Sequence, residues 1–344
     1  MSFKRLEADD FVVSADSVTA AMWSTGDPIL TSFFTSSVQA ASSAGNYYLN
    51  VFNTGSALSG SQIQFAIAYG NANGSGSVPY NTSVSGASYT STIYGQYQNL
   101  VLGDENASFI FGNTTSSDFW ALSLERAQYK EAIFPGSLFL KLSGSLGAIN
   151  LTDDSNYVTT VTYGEAGRIY NLISASSAGV KATNTGTTSD GWSVSSGSYG
   201  WLLPDIGTIL LNPVALSGSQ TAGGIGLVVS RSSAAPGYNN WRMFAAITGS
   251  TARSFTLQSQ ETITSDFVFV RPRSSEFNYS ENPSFISGST GEVLYSDFIN
   301  NPQTYITTVG LYNDNSELLA VAKLSRPLLK DFTKEALIRV KLDF

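Results

Sequence analysis

Apolar residues in this chain come in short runs, and Gly, Asn or Ser cuts each run off within a few residues. That punctuation favours strands over helices. Tyr47-Tyr48-Leu49-Asn50-Val51-Phe52 stops at Asn53-Thr54-Gly55. Ile63-Gln64-Phe65-Ala66-Ile67-Ala68-Tyr69 has the two-residue period of a strand and ends in a Gly- and Asn-rich turn. Residues 138–142 and 147–151 read as a hairpin across Ser143-Gly144-Ser145, and 305–312 with 318–324 as another through Asn313-Asp314-Asn315. A strand is also expected at 225–229, entered through Gly223-Gly224, and a last one closes the chain at 337–344. Helix is expected only at 122–134, where Ala, Glu and Lys precede Pro135-Gly136, with a turn around 328–334. The fold class implied is mainly β: antiparallel β-sandwich domains with little helix.

Charge narrows the partners. Charged residues make up 13% of the chain, about half the ~25% of an average domain. Ser, Thr, Gly and Asn stand in their place. No Asp, Glu, Lys or Arg occurs from Pro28 to Gly103, and after Arg5 the next cation is Arg126. Such a stretch suits a surface covered by another subunit, because desolvating hydroxyls and amides costs less than desolvating ions. It equally suits a neutral sheet face left in water. The net charge of −8 lacks the basic patch that phosphate binding needs, so no nucleic-acid partner is expected. No apolar run approaches the ~20 residues of a membrane span. The amino terminus lacks the apolar core of a signal peptide, and synthesis in a cytoplasm is expected.

Two seams divide the sequence. Residues 174–200 are small and polar around Lys181, Asp190 and Trp192, and Arg271-Pro272-Arg273-Ser274-Ser275 precedes a tail of different composition. The division expected is 1–173 as an amino-terminal β domain, 174–200 as a loop or insertion, 201–273 as a β-rich middle region and 274–344 as a carboxy-terminal assembly segment.

With no His and no Cys, triads built on them and zinc sites needing them cannot form, and no disulfide is possible. Paired carboxylates could still hydrolyse a glycoside, with Asp104, Glu105, Asp118, Glu125, Asp153 and Asp154 as the candidates. Asp153-Asp154 beside Asn156 also offers oxygens to calcium, without the spacing of an EF-hand loop. A polar turn is the preferred reading of these pairs. Gly223-Gly224-Ile225-Gly226 lacks the Lys-Ser/Thr that completes a phosphate loop. Tyr94, Tyr97, Trp120, Tyr199, Trp201, Tyr238 and Trp241 could form a sugar platform, but rings of this kind also build cores and interfaces. No catalytic, cofactor or metal site is expected.

Phe3-Lys4-Arg5-Leu6-Glu7-Ala8-Asp9-Asp10-Phe11-Val12-Val13, the segments 92–103 and 275–284, Thr307-Thr308-Val309-Gly310-Leu311-Tyr312-Asn313 and Leu318-Leu319-Ala320-Val321-Ala322-Lys323-Leu324-Ser325 carry a resemblance. With 334–344, they resemble a family of virion structural proteins of contractile-tailed phages of the T4-like type, particularly those of aquatic bacteria and cyanobacteria. The resemblance implies a non-enzymatic tail subunit in the virion, with the baseplate wedge as the leading place, contacts to other tail proteins, and self-association, a dimer being one form. A receptor-facing fibre or adhesin, a capsid decoration protein and a polysaccharide-degrading tail enzyme are the alternatives. The interface expected from this reading is the carboxy-terminal hairpin and strand. Val309, Leu311, Leu319, Val321 and Leu324 would form one apolar face, with Lys323, Arg326, Lys330, Lys334, Arg339 and Lys341 meeting an acidic partner.

Overall fold

The computed structural model describes residues 3–36, 47–55, 60–77, 83, 88–182, 197–232, 237–280 and 282–343. The chain is mainly β, with 41% strand and 16% helix, and its strand pairs are antiparallel. It forms two compact units, Met1–Ser17 with Thr262–Phe344, and Val18–Glu261. The expected seams at 173/174 and 200/201 are not unit boundaries. The first falls inside the strand Gly167–Ala175 and the second inside Gly200–Leu203, and these two strands pair in one sheet, so pairing binds together what composition had separated.

In chain order the elements begin with strands β1 (Phe11–Ala21), β2 (Ile29–Leu30), β3 (Tyr48–Phe52) and β4 (Ile63–Asn71), then helix α1 (Tyr89–Tyr97). Strands β5 (Phe109–Phe111), β6 (Thr114–Ser116), β7 (Asp118–Leu124), β8 (Ala132–Ile133), β9 (Phe139–Gly144) and β10 (Gly147–Asp153) follow. Next come β11 (Thr162–Gly164), β12 (Gly167–Ala175), β13 (Gly200–Leu203), β14 (Thr208–Leu211), and helices α2 (Pro213–Ser217) and α3 (Tyr238–Thr248). The chain ends with β15 (Phe255–Thr256), β16 (Gln258–Val270), α4 (Ser296–Asn300), β17 (Thr304–Tyr312), β18 (Leu318–Lys330) and β19 (Ile338–Asp343).

The larger unit is organised by a curled sheet in the order β2-β15-β9-β10-β12-β13-β14-β7-β4-β3, with β11 against β12. Its central strands are buried on both faces, which is why Phe119-Trp120-Ala121-Leu122 reads as a continuous apolar run and not as an alternation. Trp120 and Leu122 belong to one core cluster with Phe65, Ile209, Leu211 and Met243; Phe119 and Ala121 belong to a second with Tyr94, Phe109 and Leu210. Helix α3 covers the first face and α1 the second. Trp23, Phe65 and Phe255 close one end of the first core, with ring centres 5.0 and 5.3 Å from that of Phe255. The Trp23 indole N–H donates to the carbonyls of Pro28 and Phe255, each at 3.0 Å.

Part of the uncharged stretch is therefore packed inside this chain. Its strand β4 is almost wholly buried, and Gln64, fully buried, bonds through both ends of its amide, to Ser24, Gln62 and the Ser24 backbone. Neutral amides go where ions could not, while Ile29, Phe34, Tyr48 and Leu100 of the same stretch stay exposed.

Several local expectations change. The window 122–134 is not a helix: it holds the end of β7, a 3-10 turn at Arg126–Gln128 and β8. Leu122 and Leu124 face the core between β4 and β14, and that burial overrides helix propensity. No strand forms at 225–229. The Ile225 and Leu227 amides donate to the Leu216 carbonyl, and Gly226 sits at φ +70° with its N–H on Gly218, which breaks extended backbone. The hairpin at 138–151 is present, its turn at Ser145-Leu146 between paired Gly144 and Gly147. Helices α1 and α3 were not expected. The first is rich in Tyr and Thr, the second opens on Tyr238-Asn239-Asn240, and both are held by their buried faces.

Candidate assembly interface

The smaller unit has almost no core. Among the described residues, Val268, Phe298 and Val340 are its only buried hydrophobic side chains. Fifteen of its large hydrophobics are exposed: Phe3, Phe11, Val12 and Val13 before Ser17, and eleven more from residue 262 onward. A unit of this size normally hides most of its apolar surface on folding.

Strands β17 and β18 form a two-stranded ribbon that pairs with no third strand among the described residues. Its tip is fixed locally. The Asn313 side chain accepts from the Glu317 amide at 2.8 Å and donates to the Glu317 carboxylate at 2.6 Å, while Ser316 takes the left-handed φ of +63° that the tight turn requires. Its base is clamped. Lys330, fully buried, donates from Nζ to the Ser274 carbonyl at 3.0 Å, the Asn278 side-chain oxygen at 2.7 Å and the Asp331 carbonyl at 3.0 Å. Opposite it, the Thr304 hydroxyl donates to the Phe277 carbonyl at 2.6 Å, and Phe277 is held at φ +55°, a strained position for an aromatic residue. Lys330 was expected among the cations meeting an acidic partner; it is instead buried on three oxygens of its own chain, and Asn278 was not singled out. The only signal was a Lys closing the apolar run Leu328-Leu329-Lys330.

The register divides the expected apolar face in two. Val309 pairs with Ala322 and Leu311 with Ala320, which places Leu324 on the same side; Leu319 and Val321 share the other side with Gly310 and Lys323. The first side is half-buried and the second is open, with Leu319 68% and Val321 59% exposed. One five-residue apolar face is thus replaced by two smaller ones, because alternate residues of a strand point opposite ways. Lys323 and Arg326 are exposed on β18.

Strand β19 pairs with β16 of the same chain, Phe267 facing Lys341 and Phe269 facing Arg339. Arg339 and Lys341 both lie over the Phe267 ring, at 5.4 and 6.0 Å, and Lys341 also meets Asp343 at 2.8 Å. These two cations form a group apart from Lys323 and Arg326. At the amino-terminal end, Lys4 joins Glu276 at 2.9 Å, and the Arg273 amide, then Lys4, hold the Glu276 carboxyl below its ordinary range.

The candidate carboxylates of the larger unit hold backbone. Asp153 is buried and takes the Gly136 amide on both oxygens, 2.7 and 2.5 Å, together with the Ser155 hydroxyl. Burial pushes its pKa up to about 6. Asp154 accepts the Asn171 amide at 2.9 Å, and burial raises its pKa too. Asp104 caps a turn through the Asn106 amide. Asp118, buried, accepts the Tyr69 hydroxyl at 2.8 Å and lies 3.7 Å from Arg231; burial, then Asp118, pushes the Tyr69 pKa up. Among the described residues no group of three Asp or Glu is placed to hold a metal ion.

Of the candidate sugar-platform rings, Trp120, Tyr199 and Tyr94 are buried core residues, and half-buried Trp201 packs on Phe109 and Phe111. Tyr238 is exposed, with the Arg242 guanidinium over its ring. Tyr97 lines an open cleft of about 370 Å³ with Tyr48 and Gln96, its hydroxyl 2.5 Å from that of Ser123. Trp192 lies outside the described residues. Among the described residues no helix is long and apolar enough to cross a membrane.

No family model, curated protein or solved structure matches this chain.

Proposed function

We propose that this chain is a non-enzymatic structural subunit of a bacteriophage tail, placed at the baseplate wedge, and that its smaller unit is the part neighbouring subunits cover. The observation that carries the reading is the disproportion in that unit between fifteen exposed large hydrophobic side chains and three buried ones. Surfaces of that kind persist in proteins whose partners complete them. The clamped base of the β17–β18 ribbon favours the same reading, since a rigidly mounted ribbon presents its two faces at a fixed angle. The tail placement, and the wedge within it, come from the sequence resemblance alone.

Purified particles separated into heads and tails test the proposal. Mass spectrometry should find the chain with the tails, and hydrogen exchange should be slower across 304–330 in tails than in the isolated protein. Absence from particles, or the chain found with heads, would overturn the tail assignment. Unchanged exchange in tails would overturn the covered ribbon.

A further inference from the structure

Within the smaller unit, β16 lies between β1 and β19, so the sheet ends in two different edges. We infer that copies of this chain join edge to edge through this sheet, the 11–17 part of β1 in one copy pairing with β19 of the next. The inference rests on the structural-subunit reading above and names the occupant of one of its surfaces.

Strand β1 has few of the devices that keep an edge solitary, Asp16 being the one charge within it. It is eleven residues long, contains no Lys, Pro or Gly, and ten of the eleven are exposed. Isolated edges are normally blunted by shortness, by Lys or Pro, or by a covering element. Phe11, Val12 and Val13 are open to solvent at its start. An added strand would use the free backbone groups and cover these side chains together.

Charge selects the added strand. Glu7, Asp9, Asp10 and Asp16 lie on or just before β1, and no cation follows Arg5 until Arg126. Of the nearby cations, Lys4 is held by Glu276 and Arg271 stands 4.0 Å from Asp10. Strand β19 carries exposed Arg339 and Lys341, with Asp343 beside Lys341. Two β1 edges brought together would set carboxylate against carboxylate, and two β19 edges would bring four cations together with two Asp343 to offset them. The β1-to-β19 pairing sets the acids of one edge against the cations of the other, which selects the partner. An interface between two different edges is head-to-tail, so it builds a ring when its rotation closes and a filament when it does not.

The test is a charge swap in the full-length chain, read by sedimentation velocity and native mass spectrometry. The unaltered protein should associate at low salt. D9K/D16K and R339E/K341E should each raise the concentration for half-association by roughly tenfold or more. The first variant puts Lys in place of the one acid within β1 and the second makes both edges acidic, so mixing them should restore assembly in alternation. Restoration also shows that neither variant lost its fold. A monomer at every concentration, assembly indifferent to both reversals, or a mixture that stays apart would overturn the inference. None of these outcomes bears on whether the chain is found in tails, so the two proposals fail separately.

Discussion

Asp153 offers a direct check on the larger unit, because its environment predicts the sign and size of a pH effect. The carboxyl is buried, and burial raises its pKa from an ordinary 3.8 to about 6, outweighing the Gly136 and Ser155 hydrogen bonds that pull the other way. The folded chain therefore binds a proton more tightly at this site than the unfolded chain does. Its stabilising contribution is complete below about pH 3.8 and is lost as pH rises through about 6. A difference of about two pKa units corresponds to about 3 kcal/mol. In D153N no proton is exchanged, so the stability difference between variant and native protein should move in favour of Asn by about 3 kcal/mol between pH 4 and pH 7.

The assay is urea unfolding followed by tryptophan fluorescence. All five Trp residues lie within Val18–Glu261, so the signal reports the larger unit alone. With a slope of ~2–3 kcal/mol per molar urea for a unit of this size, the midpoint difference should change by about 1 M across the range. Asp154 and the remaining carboxylates are common to both proteins and largely cancel. A constant offset from the amide's different hydrogen bonds is compatible with the reasoning. A difference independent of pH, or one moving toward Asp as pH rises, refutes it.

Two further predictions follow from packing. Trp120→Ala removes a fully buried ring whose N–H donates to the Asn239 carbonyl at 3.0 Å, and should cost about 3–5 kcal/mol in the same urea assay; a loss below about 1 kcal/mol would mean that the two-sided burial of β7 is wrong. L319S/V321S alters the open face of the ribbon, where covering the exposed two-thirds of each side chain contributes about 2–4 kcal/mol together. In competition with the unaltered chain for entry into tails it should lose by roughly 30- to 1000-fold, with the tryptophan unfolding curve unmoved, and equal incorporation would refute a covered ribbon.

The mainly β class was legible because punctuation by Gly, Asn and Ser survives into the structure as turns. The 147–151 and 318–324 strands pair where the pattern placed them. What could not be read was burial on two faces. Phe119-Trp120-Ala121-Leu122 has no period because the sheet is covered on both sides, and the helical window after it was an artefact of a few Ala, Glu and Lys residues. Helix α3 was hidden because Tyr238-Asn239-Asn240 resembles a loop. Asn239 is in fact buried, with its side-chain amide bridging both backbone groups of Ser230. The interface residues were named from one apolar list. Only the register reveals that Leu319 and Val321 face away from Val309, Leu311 and Leu324.

The neutral stretch and the exposed ribbon have one physical cause, seen from opposite ends. A sheet buried on both faces leaves few positions where a charge is tolerated, and β4, within the uncharged stretch 28–103, uses Gln64 and Asn71 where polar groups are buried. Charge is then concentrated where backbone meets solvent. The smaller unit receives Arg326, Arg339 and Lys341 on exposed positions, together with apolar side chains that no core collects. Lys330 marks the junction of the two regimes. A methionine there would fill similar space, but it would leave the carbonyls of Ser274 and Asp331 and the Asn278 amide oxygen without their shared donor. Three directed bonds to one ammonium set the angle of the ribbon as well as its attachment.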